Sequence, residues 1–200
     1  MNTTITDEYR KLQQELHKNP KYGVASGHFA PLVASLMGHA KVRSLSDYGA
    51  GKCKLLAALE QQGVQVEEYF PYDPAFPEYG APRTADLVCC IDVLEHIEPA
   101  LLDNVLRELA SITTKLGFFS VHLGPAGKVL PDGRNAHLIQ KPTSWWLPRL
   151  AEFFEVLQLQ THKMMGLGFW VLVKPRVPES EWPPADFGGA VPSGEGSSTE

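Results

Sequence analysis

Cysteine is scarce in this chain: Cys53, Cys89 and Cys90 are all it has. An odd count, with two cysteines adjacent in an apolar run, does not make a disulfide framework. With no Cys-x-x-Cys pair, a structural zinc site is not expected either. Long hydrophobic runs are also missing. Purely apolar stretches such as Leu87–Ile91 run to five residues, far too short to span a bilayer, and the opening MNTTITDEYRKLQQEL is too polar for a secretory leader. Nor is there a basic excess: 18 Lys and Arg face 23 Asp and Glu, a net charge of −5. That leaves no overall cationic footprint for DNA or RNA. By elimination a reducing cytoplasm is the expected location, and no membrane association is expected. What the chain does have is 44% hydrophobic residues over 200 positions, enough for one sizeable core without cross-links.

The pattern along the chain alternates. Thr6–Lys18 reads as a helix with Tyr9, Leu12 and Leu16 on one face, stopped by Asn19-Pro20, and a second short helix is predicted over Pro31–Met37 before Gly38. These two lie ahead of the core pattern, so residues 1–39 are read as an N-terminal helical lid. Residues 40–174 carry the repeating core. A strand over Lys41–Tyr48 runs into Gly49-Ala50-Gly51, then a helix over Lys52–Gln62 and a strand over Val64–Tyr72. Asp86–Asp92 is a continuous apolar run bounded by acids, as in a strand buried on both faces. A helix opening at Pro99, a strand over Gly117–Leu123, a polar loop over Gly124–Asn135 and a helix over Ser144–Phe154 follow. Val156–Thr161 and Phe169–Lys174 are predicted to close the domain as an antiparallel pair. From Pro175 to Glu200 the composition turns to Pro, Gly and Ser without periodicity, and is read as a disordered tail. The whole is an α/β fold with a mostly parallel sheet, whose ligands bind at the carboxyl ends of strands near the point where strand order reverses.

Three segments fall at such strand ends. In Asp47-Tyr48-Gly49-Ala50-Gly51, two glycines let the backbone turn tightly and approach a ligand before a helix N-terminus. A Rossmann fingerprint would want a third glycine at position 54, which is Lys54, and a P-loop spacing is absent. In Tyr72-Asp73-Pro74, Asp73 ends the second strand, where an acid accepts hydrogen bonds from both hydroxyls of a ribose. An ordinary Asp-Pro turn is the other reading of the same residues. In Ile91-Asp92-Val93-Leu94-Glu95-His96, Asp92 ends a buried strand, with Glu95 and His96 on the next turn. They are candidates for acid–base work or substrate contact, or simply for helix capping.

Taken in this order, these segments resemble class I S-adenosylmethionine-dependent methyltransferases, and Val93-Leu94-Glu95-His96 resembles a motif of the small-molecule enzymes of the ubiquinone-biosynthesis type. The resemblance covers roughly residues 40–174. It implies a Rossmann-like sheet and S-adenosylmethionine as cofactor. Asp47, Gly49, Ala50 and Gly51 would surround the methionine portion, Asp47 orienting the loop and reaching the amino group. Asp73 and Pro74 would meet the ribose, with Ile91 and Asp92 beside the methionine and adenine. The chain departs from the family in two places. Cys53 stands where a third glycine is usual, and Asp86 comes only 13 positions after Asp73, an interval in which the family fits a helix, a strand and another helix. The sheet is therefore expected to be trimmed at its third-strand edge, with Phe76 or Tyr79 covering the adenine.

For the acceptor, the loop Leu130–His137 offers Arg134, Asn135 and His137, with Trp145 and Trp146 following, as either a binding cluster or a loop pinned by its own hydrogen bonds. His137 is the candidate general base, with Asp92 beside it at the reacting centre. His96, and Tyr22 from the segment ahead of the first strand, are candidate substrate contacts. No metal is expected. The predicted activity is methyl transfer to a small molecule, with nucleic acid or protein acceptors left open. The alternative is a non-catalytic cofactor-binding or scaffold module, suggested by Cys53 and the short edge.

Overall fold

A computed structural model describes residues 3–20, 22–23, 25–164 and 166–177. Six strands form one sheet: β1 (Ser44–Tyr48), β2 (Glu68–Tyr72), β3 (Ala85–Ile91), β4 (Thr113–His122), β5 (Phe154–His162) and β6 (Gly168–Pro175), in the order β2-β1-β3-β4-β6-β5. The β2-β1-β3-β4 pairs are parallel, while β6 runs antiparallel to both β4 and β5. The mostly parallel α/β sheet is therefore as expected, and so is the closing antiparallel pair.

The helices cover both faces. On one side lie α2 (Ser26–His39) and α3 (Lys54–Gln61), whose Phe29, Val33, Leu55 and Leu59 pack on Leu45, Leu87, Cys89 and Ile91. On the other lie α4 (Leu102–Ile112) and α5 (Thr143–Phe153), with Leu106, Leu109, Trp146 and Leu150 against Val88, Cys90, Phe119 and Val121. The alternation along β3 follows from the strand period of two, which is why its sequence is apolar throughout. Among the described residues no helix is long and apolar enough to cross a membrane.

The expected trimming is present, and Pro71 accounts for it locally. It lies within β2, whose one strand partner is β1. A proline has no N–H to give a further strand and is tolerated at a sheet edge. From Asp73 to Asp86 the chain makes one 3-10 turn, Pro77–Tyr79, and returns across β1 to start β3 on its far side. Strand order thus reverses around β1, and a crevice opens at the carboxyl ends of β1 and β3.

Several boundaries differ from expectation, among them those of β1 and β2, which begin at Ser44 and Glu68 rather than at Lys41 and Val64. Helix α2 begins at Ser26, five residues before Pro31, which lies inside it. Proline signals a first turn but does not require one. Strand β4 starts at Thr113, directly after α4, because Thr113 Oγ1 caps that helix by bonding the Leu109 carbonyl. Strand β6 extends through Pro175. The remainder of the segment read as a tail, residues 178–200, lies outside the described residues. Of the two N-terminal helices, α1 (Asp7–His17) packs with Ile5, Tyr9, Leu12 and Leu16 on the 126–138 loop, while α2 belongs to the helical layer on the sheet.

Candidate functional site

A cavity of about 240 Å³ opens at the carboxyl ends of β1, β2 and β3. Its floor is the turn after β1. Gly49 N and Ala50 N both donate to the Tyr72 carbonyl, at 2.7 and 2.9 Å, which ties this turn to the end of β2. Gly49 has φ +81° and Gly51 φ +50°, the left-handed region that glycine enters without strain. The two glycines serve different neighbours. A Cβ on Gly49 would stand 2.3 Å from Val93 Cγ2, so that glycine admits the loop after β3. A Cβ on Gly51 would meet His17 Cε1 at 3.2 Å, so that one keeps the cavity wall open. Cys53 also has a positive φ, +51°. Its place is one where glycine is the unstrained residue, and the turn survives the cysteine at a cost of about 1–2 kcal/mol.

Asp73 stands at the end of β2 with its carboxylate on the cavity wall. Oδ2 accepts from Gly51 N at 3.0 Å and Oδ1 from Ala75 N at 2.8 Å. The side chain is thus both the expected turn former and a buried acceptor facing the cavity. Burial raises its pKa, against the two backbone hydrogen bonds. Pro74, Ile91 and Asp92 line the same wall. Asp92 takes φ +54°, unusual for a non-glycine residue and strained. It is held there by Ser120, whose Oγ accepts from Asp92 N at 3.0 Å and donates to Asp92 Oδ1 at 2.9 Å.

Asp47 is not part of the lining. Strand alternation turns it, with Leu45, toward the α2–α3 face, where it is 2% exposed and accepts from the Tyr69 hydroxyl at 2.6 Å. Burial pushes its pKa from an ordinary 3.8 up to about 6; the Tyr69 hydrogen bond opposes that and the Asp73 charge adds to it. A raised carboxyl pKa stabilises the fold fully below the unfolded-state value, and that stability is lost as pH rises through about 6. Asp47→Asn removes the charge but keeps the shape. Its stability relative to the parent is therefore expected to improve between pH 4 and pH 8, by up to about 3 kcal/mol. Urea titrations at the two pH values measure this, and a difference that stays flat would mean that Asp47 carries no buried charge.

The opposite wall is a polar row. Tyr9, Gln13 and His17 stand four residues apart on one face of α1 and all reach the cavity. Gln13 Nε2 donates to the Tyr9 hydroxyl at 2.6 Å, and that hydroxyl donates to the His96 carbonyl at 2.6 Å. Tyr22 OH donates to Gln13 Oε1 at 3.2 Å and faces His96 Nδ1 at 3.4 Å. His96 and His137 meet edge to face, centroids 4.7 Å apart. His96 Nδ1 lies 2.8 Å from the Ala136 carbonyl and His137 Nδ1 2.7 Å from the Gly124 carbonyl. A carbonyl only accepts, so each Nδ1 carries the proton and each Nε2 keeps its lone pair. Burial lowers the His96 pKa to about 3, with His137 adding to the effect, and burial also lowers that of His137. Both rings are neutral at pH 7.

Behind them Glu95 is fully buried. His122 N donates to its Oε1 at 2.8 Å, and Oε2 has no partner among the described residues. Burial raises its pKa far above the carboxylate range, with the Asp92 charge contributing. One carboxylate oxygen of Glu95 and one ring nitrogen each from His96 and His137 lie within 4.8 Å of one another, the single group of three potential metal donors among the described residues. No spacing in the sequence signals this group, because His137 comes from a distant loop.

The 130–137 loop divides. His137 reaches the cavity, but Arg134 pairs with Asp132 at 2.6 Å near the surface. Asn135 is spent on the loop itself, bonding both backbone groups of Ala126 at 2.9 Å. Trp146 is a fully buried core residue, and Trp145 packs under the Arg149 guanidinium at 3.6 Å. Phe76 and Tyr79 stack on each other outside the cavity, with Tyr79 OH donating to the Gly51 carbonyl at 2.9 Å. His17, Tyr9 and Gln13 are cavity residues that hydrophobic periodicity did not single out as chemical. Their i, i+4, i+8 spacing was the available signal.

No protein-family model and no curated protein matches the chain. Solved structures do. A Burkholderia thailandensis 1,6-didemethyltoxoflavin-N1-methyltransferase, solved with bound 1,6-didemethyltoxoflavin and S-adenosylhomocysteine, aligns over 88% of this chain and 94% of its own, with TM-score 0.57 and 15% identity. The magnesium protoporphyrin IX methyltransferase of Synechocystis PCC 6803, with S-adenosylmethionine bound, aligns over 87% of this chain and 100% of its own, with TM-score 0.57 and 13% identity. The mitomycin 7-O-methyltransferase MmcR aligns over 82% of this chain and 60% of its own, with TM-score 0.57 and 19% identity. At these identities the likeness is one of fold, and the fold is that of the class I methyltransferases.

Proposed function

We propose that this protein transfers the methyl group of S-adenosylmethionine to a small-molecule acceptor. The observation that carries the reading is one cavity with two unlike walls: Gly49, Gly51, Asp73 and Asp92 at the strand ends, and two neutral histidines opposite. The cofactor fits the first wall on two counts, the cradle that a Cβ on Gly51 would narrow and the buried Asp73 carboxylate beside it. The three fold relatives, which act on or bind small molecules by their names, support the choice of acceptor class.

Bound S-adenosylmethionine supplies a methyl group on a positively charged sulfur, a donor that needs positioning more than activation. Asp73 accepts from the ribose, with Pro74, Ala50 and Ile91 shaping the groove. Asp47 supports the turn from behind, through its bond to Tyr69. Asp92, fixed by Ser120, faces the methionine portion. His137 takes the acceptor proton at Nε2, its tautomer set by the Gly124 carbonyl, and His96 and Tyr22 bound the acceptor side. Arg134 and Asn135 are assigned to shaping the loop that delivers His137. The alternative of a non-catalytic module drew on Cys53 and the short edge, and neither removes a residue from the cavity wall.

The test is calorimetric titration of the protein with S-adenosylmethionine, in parallel with NAD. Micromolar binding of the first alone is the expected outcome, followed by an acceptor screen among small hydroxylated and amine compounds. With an acceptor found, His137→Gln is expected to lower kcat by about a hundredfold or more with little change in cofactor affinity. A folded protein that ignores millimolar S-adenosylmethionine, with or without the candidate acceptors, would sink the reading.

A further inference from the structure

His17 closes α1, a helix outside the sheet, yet its ring stands inside the cavity. It is held edge-on between two aromatic rings, Tyr22 and Phe76, each with its centroid 4.9 Å away. Its position relative to the glycine turn is close. A Cβ on Gly51 would lie 3.2 Å from His17 Cε1, 3.8 Å from Nδ1 and 4.0 Å from Asp73 Oδ2, so the imidazole and the carboxylate converge on one point of the turn. Gly23 comes equally close to the same two ring atoms, its virtual Cβ 3.3 Å from Cε1 and 3.7 Å from Nδ1. The helix end is anchored there by Lys52, from the same turn, whose Nζ donates to the carbonyls of Asn19 at 2.7 Å and Tyr22 at 3.3 Å.

His17 Nδ1 is buried and has no hydrogen-bond partner among the described residues. A ring placed there for packing alone needs no nitrogen, and a buried polar atom without a partner is disfavoured and calls for an explanation. Burial and the Lys52 ammonium lower the His17 pKa to about 4, so the ring is neutral at pH 7. A neutral imidazole offers one donor and one acceptor, which a hydroxyl matches in either tautomer.

We infer that His17 is a cofactor-binding residue whose Nδ1 hydrogen-bonds one ribose hydroxyl of the nucleoside that Asp73 holds by the other. This rests on the cofactor reading above and adds to it a contact from outside the sheet. The ribose is clamped between the end of β2 and the end of α1, and the N-terminal helix becomes part of the site rather than a cover for it.

The experiment is calorimetric titration of the full chain with S-adenosylhomocysteine and with its 2′-deoxy and 3′-deoxy analogues. The variants are His17→Phe, which keeps the ring between Tyr22 and Phe76, and His17→Gln, which keeps a hydrogen-bonding group. His17→Phe is expected to bind S-adenosylhomocysteine about tenfold more weakly at an unchanged melting temperature, the loss of about one hydrogen bond. With one of the two deoxy analogues parent and His17→Phe are expected to bind alike, and His17→Gln to recover most of the affinity for the full ligand. Parental affinity in His17→Phe, or the same tenfold loss with both deoxy analogues, would overturn the inference while leaving the cofactor reading standing. Should His17→Phe fail to fold, His17→Leu takes its place in the same comparison, and a loss confined to neither hydroxyl counts against the contact. Failure of the parent to bind S-adenosylhomocysteine at all would overturn the cofactor reading and this inference with it.

Discussion

Asp73→Ala is expected to weaken binding of S-adenosylmethionine by a hundredfold or more. The carboxylate does two things at once. It accepts from Gly51 N and Ala75 N, and so fixes the loop that meets the methionine portion against the loop that follows β2. In the proposed complex it also accepts from the ribose. Alanine would leave two buried N–H groups unpaired, each costing about 1–3 kcal/mol, besides removing the ligand contact. The charge-assisted bond to the ribose alone is worth about 1.5–3 kcal/mol, and the loosened loop adds to its loss, so the change reaches the roughly 2.7 kcal/mol that corresponds to a hundredfold in affinity. Asp73→Asn separates the two roles. Its amide oxygen still serves one backbone donor, and it keeps the shape of the turn, so it should lose less stability than alanine, about 1–3 kcal/mol, while affinity falls about tenfold. If both variants bind like the parent, the ribose is not held at the end of β2, and the cofactor reading loses its main support.

The same residue illustrates how far the sequence carries. Asp73, Gly49, Gly51 and Asp92 were legible because parallel α/β topology puts strand ends together, and each of these residues lies within three positions of the end of a strand. The central strand β3 was legible because burial on both faces makes it apolar at every position. Edge and loop features were legible in part. The short Asp73–Asp86 interval pointed to the trimmed edge, whereas Pro71, whose missing N–H marks the same edge, carries no weight in a reading of strand alternation, which follows what is buried rather than a missing donor. Asp47 was read with the glycines it precedes, although a period of two sends its side chain to the other face of the sheet. Adjacency grouped Arg134, Asn135 and His137. The Val129–Asn135 bridge folds that loop back on itself and sends their side chains in three directions. On α1 the apolar reading found Tyr9, Leu12 and Leu16, which pack on the loop. The polar series Tyr9, Gln13 and His17 runs beside it and faces the cavity, and a hydrophobicity pattern gives such a series no weight.

Gly49→Ala is expected to destabilise the fold by about 2–5 kcal/mol, the sum of a left-handed backbone cost of about 1–2 kcal/mol and an overpacking cost of about 1–3 kcal/mol. The first part follows from φ +81° and the second from Val93, whose Cγ2 and Cγ1 would lie 2.3 and 3.0 Å from the new methyl group. Neither neighbour can give way cheaply. Gly49 N is held by the Tyr72 carbonyl at 2.7 Å, and Val93 follows Asp92, which Ser120 pins in its own left-handed conformation. The two costs separate in a double-mutant cycle measured by urea unfolding. Gly49→Ala combined with Val93→Ala should recover the steric part, giving a favourable coupling of about 1–3 kcal/mol, while the backbone part remains. Gly51→Ala provides the contrast. Its added methyl group would meet the His17 ring at 3.2 Å, a side chain at the end of a helix rather than a strand terminus, so its main effect should fall on cofactor affinity. Two glycines one residue apart would then report on different things, the join between β1 and β3 in one case and the wall of the cavity in the other. Additive behaviour of Gly49→Ala and Val93→Ala would show that the two loops are not interlocked, and would remove the packing argument for why this turn begins with glycine.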